Sequence, residues 1–229
     1  MNPETLVRET AWEREFLLSA PVIRRCLAGD VDRGLYIRFL TQAYHHVRHT
    51  VPLLAATAER LSSHHVWLQE AIAHYIAEEQ GHDAWILDDI AEAGGDRAAA
   101  LASEPAIPTA AMVAFAWDTV LRGNPVGFFG MVHVLEGTSV SLALLAADKI
   151  QNTLGLPDRA FTYLRSHGTL DQKHVMHFAD LMDRVDDAGD QEAIVHAARA
   201  FFRLYADVFR SLPLPAAAGD AAIAPGGPP

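Results

Sequence analysis

The chain has 229 residues, half of them hydrophobic and 21% charged, with a formal net charge of −11. That length suits one large domain, or at most two small ones, with ample surface to bury, and the hydrophobic fraction excludes a disordered chain. A single cysteine, Cys26, excludes a disulfide framework and a four-thiolate metal site, and the acidic balance argues against a duplex-binding protein.

The opening stretch MNPETLVRETAWEREFLLSA alternates charge with apolar residues and carries no secretory h-region. No apolar run is expected to approach the roughly 20 residues of a membrane span. The class that remains is a soluble, cytoplasmic protein without nucleic-acid or membrane partners. Twelve histidines against one cysteine are the oddity of the composition.

Helical periodicity runs through nearly every long segment. A first helix is expected from Pro3 to Ser19 with Trp12, Phe16 and Leu17 on its apolar side. Pro21 and the Gly29-Asp30 pair bound a short second piece. Asp32 caps a long helix to about Leu61, with Phe39, Val47 and Leu54 on its apolar stripes and a kink at Pro52. Ser62 and Ser63 start a helix through Trp67, Ile72, Ile76 and Ile86 to a stop at Gly94-Gly95.

A helical turn and loop occupy Asp96 to Pro108, and Pro108 opens a helix that closes at Gly123-Asn124. Pro125 fits the first turn of a very apolar helix reaching about Leu154. After Gly155, Pro157 and Asp158, a helix runs from about Arg159 to Val185. The last spans about Gln191 to Leu212, with Phe201, Phe202, Leu204 and Phe209 inside. From Pro213 the tail is Pro/Gly/Ala-rich and reads as disordered. The expected architecture is all-α: about seven helices in a single-domain bundle over residues 1–212.

Ionisable residues stand on these helices where burial is expected. AHYIAEEQGHDAW sets Glu79 three residues before His82. FFGMVHVLEGTSVSLALLA carries Glu136 as its sole carboxylate. In RSHGTLDQKHVMHF, His167, Asp171 and His174 fall within an arc of roughly 60° on one helix face. YHHVRHT adds His45, His46 and His49.

An imidazole and a carboxylate on adjacent turns can point at one atom, which is why Glu-x-x-His recurs at dinuclear carboxylate sites. Nitrogen and carboxylate ligands without thiolate suit iron, manganese or zinc. Glu79, Glu136 and Asp171 total −3 when ionised, and buried carboxylates without a partner protonate instead. One divalent ion leaves −1; two leave +1, which a hydroxide or an anionic substrate would cancel. The blander alternatives are an exposed Glu79–His82 face, a solvated His167–His174 face beside Gln172 and Lys173, and a Glu136 paired with His133 one turn earlier.

The order of these motifs over the helices resembles the haem-oxygenase-like diiron oxidases and oxygenases, whose fold is shared with haem oxygenase, TenA thiaminases and PqqC. The likeness is to the CADD-like branch of iron-containing redox enzymes. It implies two iron ions, O2 as co-substrate, and a small carboxylate-bearing substrate of fatty-acid-like or amino-acid-like type. It also implies an external electron donor and a homodimer.

Carried over, the metal ligands are Glu79, His82, Glu136, His167, Asp171 and His174. His46 is favoured over His45 and His49 for a position where many members have a glutamate, because Phe39, Ala43, His46, Thr50 and Leu53 form an inward stripe. Glu136 is expected to bridge and Tyr75 to act beside the metals, ahead of Tyr44 and Tyr163; Phe115, Phe128, Phe129 and Met131 are expected to wall an apolar cavity. The alternatives are a TenA-like hydrolase, for which Cys26 stands far upstream, a haem oxygenase lacking a histidine in its first helix, a PqqC-like cofactor-free oxidase, and a non-enzymatic partner protein.

Overall fold

The computed structural model describes residues 1–214, with the side chains of residues 169–175 left out of the description. The expected tail from Pro213 therefore lies almost wholly outside the described residues. Every regular element among the described residues is helical. The chain is an all-α, single-domain bundle, but its described residues form twelve α-helices rather than about seven, because several long periodic segments break.

The first expected helix becomes α1 (Pro3–Glu9) and α2 (Ala11–Leu18). They part at Thr10, whose hydroxyl donates back to the Leu6 carbonyl at 2.8 Å. Leu17 is fully buried, whereas Trp12 is 58% exposed and stacks on Phe16. The short piece is α3 (Pro21–Leu27).

Asp32 caps α4 (Arg33–Val47) by accepting from the Leu35 N–H at 2.6 Å. The helix resumes as α5 (Thr50–Arg60). The break at Arg48 and His49 follows from Pro52, which has no N–H for the Arg48 carbonyl and clashes with it. The segment from Ser62 likewise divides, into a 3-10 turn, α6 (Val66–Glu79) and α7 (His82–Glu92).

Next come α8 (Arg97–Ala102) and α9 (Ile107–Leu121), the latter with Pro108 in its first turn. A 3-10 turn at Pro125–Gly127 leads into α10 (Phe128–Leu154), and another at Asp158–Ala160 into α11 (Thr162–Arg184). The final helix, α12 (Ala188–Ser211), starts three residues earlier than expected because Asp187 accepts from the Asp190 N–H.

Helix α10 is the axis of the bundle, packed against α3, α9, α11 and α12. Its segment Pro125–Leu154 is long and apolar enough, by length and composition, to cross a membrane, contrary to the expectation of no such run. In the bundle that apolar surface is met by four neighbouring helices. A close approach is made at Gly130, where an added Cβ would stand 2.6 Å from the Ala198 nitrogen and the Ile194 carbonyl oxygen of α12. Only a glycine lets the two backbones come so near. The core that results joins Phe128 and Phe129 of α10 to Phe201 and Phe202 of α12.

Candidate metal centre

The Glu79-x-x-His82 pair does not sit on one continuous helix. Glu79 ends α6, Gln80 is extended, Gly81 adopts φ 92°, and His82 begins α7. Glycine takes that left-handed conformation without the Cβ clash other residues incur. The side chains still meet: Glu79 Oε2 lies 3.0 Å from His82 Nδ1, with the two side chains 9% and 1% exposed.

His167, in the second turn of α11, completes a cluster. One ligand atom from each of Glu79, His82 and His167 lies within 4.8 Å of the others. Donors on one metal ion with bonds of about 2.1 Å stand roughly 3.5 Å apart, so a small inward movement would close the cluster on a cation. The hydrogen bond now joining His82 to Glu79 holds a proton that a metal would displace. The His82 ring is fixed on both sides: Trp85 stacks on it at 4.2 Å between centroids, and His167 meets it edge-on at 4.8 Å. Tyr163 packs edge-on to His167 at 4.7 Å.

The cluster opens into a cavity of about 160 Å³ whose wall includes His46, Tyr75, Glu79, Glu136 and His167. Five of the expected site residues therefore share one space. Asp171 and His174 lie outside the described residues, since their side chains belong to the 169–175 stretch.

The three histidines near the end of α4 separate cleanly. His45 Nε2 bonds to Ser103 Oγ at 2.9 Å, and His49 Nδ1 accepts from the Trp117 indole at 3.3 Å. His46 instead faces the cavity, is 2% exposed, and keeps a buried Nδ1 without a hydrogen-bond partner. Burial, reinforced by His167, His49 and His45, pushes its pKa down to about 3. It is a neutral imidazole across the physiological range, the form a metal binds.

Glu136 is not held by His133. That ring stacks on Phe178 at 5.9 Å, meets Phe202 edge-on at 5.8 Å, and stands off the cavity. Tyr75 is 2% exposed, and its ring lies 5.9 Å from that of His177. Phe128 and Met131 wall the cavity as expected. Phe129 and Phe115 do not: Phe129 packs towards Phe178, and Phe115 against Phe201.

Cys26, distant in sequence from every motif, also lines the cavity, because α3 packs against α10. Burial pushes its thiol up to about 11, so it is not a thiolate at neutral pH.

Sequence reasoning missed Asp89. Fully buried on α7, it accepts the backbone N–H of Thr162 at 3.0 Å and of Tyr163 at 2.8 Å, capping α11 five residues before His167. Burial raises its pKa to about 6, against the pull of those two backbone donors. The signal was there in WILDDIAEA, a carboxylate among Ile86, Leu87 and Ile90, which is the logic that singles out Glu136.

A family model described as "iron-containing redox enzyme" matches residues 37–206, most of the chain and every candidate ligand. The chain belongs to the iron-containing redox enzyme family. Among proteins of curated function none matches it.

Solved structures show which fold this family member adopts. It is similar to a domain of unknown function with a haem-oxygenase-like fold from Shewanella denitrificans, at 24% identity and TM-score 0.83, over 93% of this chain and 92% of that one. It is also similar to a TenA homologue from Pseudomonas syringae, at 9% identity and TM-score 0.75, over 91% and 90%. A CADD-like protein of unknown function from Nostoc punctiforme matches at 12% identity and TM-score 0.70, over 91% and 97%. The iron-containing redox enzyme described here thus has the haem-oxygenase-like fold.

Proposed function

We propose that this protein is a dinuclear non-haem iron oxidase or oxygenase that uses O2 to oxidise or cleave a small carboxylate-bearing substrate. The observation that carries this reading is the Glu79, His82 and His167 cluster, with ligand atoms within 4.8 Å, opening on a cavity that also holds Glu136 and His46. The donor set fits iron: imidazole and carboxylate, no thiolate, and one neutral buried imidazole nitrogen without a partner.

In this proposal His46, Glu79, His82, Glu136, His167, Asp171 and His174 would hold two iron ions, with Glu136 reaching the cavity from the central helix. When bound, the iron ions supply the electrons and binding positions for O2. The protein's own contribution is to fix the imidazoles by ring packing and to keep water from the reacting centre with apolar walls. Tyr75 lines the same wall, where its phenol would pass one electron and one proton to O2 as it is reduced, with an external donor restoring the tyrosine. The positive balance of two divalent ions against three carboxylates draws a substrate carboxylate to the metal end. TenA-like hydrolysis has less support, since the Cys26 thiol is held protonated by burial.

Anaerobic Fe(II) titration of the full chain tests the reading. Saturation near two equivalents is expected, followed by a transient visible band on exposure to O2, and Glu136→Ala should reduce the stoichiometry. Saturation at one equivalent or none, or an unchanged titration in Glu136→Ala, would overturn it.

A further inference from the structure

Ser139 stands one turn beyond Glu136 on α10 and lines the same cavity. Serines and threonines inside helices ordinarily satisfy their hydroxyls on the carbonyl four residues earlier. Thr41, Thr57, Thr119 and Ser141 all do so here, each at 2.8 Å. Ser139 does not: its Oγ is buried and has no hydrogen-bond partner. A buried hydroxyl left unsatisfied costs stability, and a fold keeps one where something other than the fold completes it.

Beyond Ser139 the cavity changes character. Along α10 its wall continues through Ala143, Ala146 and Ile150, and it is also lined by Leu27 of α3, Val31 of the loop that follows and Leu35 of α4. Eleven residues of helix separate Ser139 from Ile150, about 16 Å at 1.5 Å per residue. The two alanines leave that side of α10 open where larger residues would fill it.

We infer that Ser139 is a specificity-determining residue: its hydroxyl donates to the head-group oxygen of an amphipathic substrate whose unbranched apolar chain runs along α10 towards Ile150. This deepens the proposed function, resting on the cavity being the substrate site. The head lies one turn from Glu136, and the chain lies along the apolar side chains of Ala143, Ala146 and Ile150.

The test is equilibrium binding to the full chain under anaerobic conditions, with two probes. 1-Decanol, with a neutral head, is titrated into metal-free protein, and decanoate into protein with and without Fe(II). Ser139→Ala should weaken decanol binding roughly fivefold, the loss of one hydrogen bond, and weaken decanoate binding in the Fe(II)-loaded protein by more. Its melting temperature should be unchanged or higher, because an unsatisfied group has been removed. Ala146→Phe, closing the apolar arm, should weaken decanol at least tenfold while sparing 1-hexanol.

Equal decanol affinity in wild type and Ser139→Ala, no binding by wild type, or a melting temperature that falls along with affinity would overturn the inference. Decanoate binding that gains nothing from Fe(II), with the decanol results as expected, would instead count against the metal chemistry and leave Ser139 in place.

Discussion

Glu79 and His82 meet at 3.0 Å across a break in the helix, one closing α6 and the other opening α7, with Gly81 at φ 92° between them. Nothing lies within 4 Å of where a Gly81 Cβ would be, so the glycine is required by backbone conformation and not by space. Gly81→Ala should therefore cost about 1–2 kcal/mol, the penalty for an L-residue in the left-handed region. Because the strain falls between the two side chains, metal affinity should drop as well. Urea unfolding together with a metal titration measures both, and unchanged values would show that the break is not held by the glycine.

Asp89 reaches His167 only through the backbone it caps. Asp89→Ala strands the N–H groups of Thr162 and Tyr163 and should cost about 2–3 kcal/mol. The pH dependence has a definite sign. The folded-state pKa is raised to about 6, chiefly by burial, so this group's stabilisation is fully present below about pH 4 and is lost as pH rises through 6. Asp89→Asn keeps an acceptor but carries no proton. The stability of wild type relative to Asp89→Asn should fall between pH 4 and 6 and stay level above it, as read by denaturant melts across that range.

His133 has the opposite sign. Partly buried between Phe178 and Phe202, it has its pKa lowered from 6.5 to about 4, first by loss of solvent and then by nearby Arg14. Its contribution is intact above pH 6.5 and is lost as pH falls through 4. His133→Phe removes the titrating ring and fits an aromatic slot. Compared with this variant, wild type should lose about 3 kcal/mol on going from pH 7 to pH 4. A constant difference over that interval would mean the imidazole is solvated in the folded protein.

Most helix boundaries could be read because their causes are local. Asp32 accepts from a backbone N–H three residues on, Pro108 sits in a first turn, Pro125 opens the 3-10 turn that leads into α10, and Gly155 ends α10, all within one turn of the chain. The helix count was less legible. At Thr10 and at Gln80-Gly81 the apolar period continues through the break, so periodicity alone predicts one helix where there are two. Pro52 announces a kink, yet the break falls upstream of it, at the carbonyl the proline cannot serve.

The candidate site shows the same division. Glu79, Glu136 and His167 could be singled out as ionisable residues in helical stretches, because unpartnered charge in a core is costly whatever the fold. Asp89 carried the same signal, but its partner is the start of a helix 73 residues away, and nothing near it in the chain points there.

The amino-acid sequence by itself determined the helical class, the caps and the residue types that make metal chemistry available, since these depend on interactions spanning a few residues. Only the tertiary structure decided which side chains share a space. It turned His46 to the cavity while His45 and His49 bond to Ser103 and Trp117, brought Cys26 to the wall, and left Ser139 without a partner. Such choices depend on how closely separate helices approach. That approach is set by contacts such as Gly130 of α10 against Ala198 of α12, which join residues far apart along the chain.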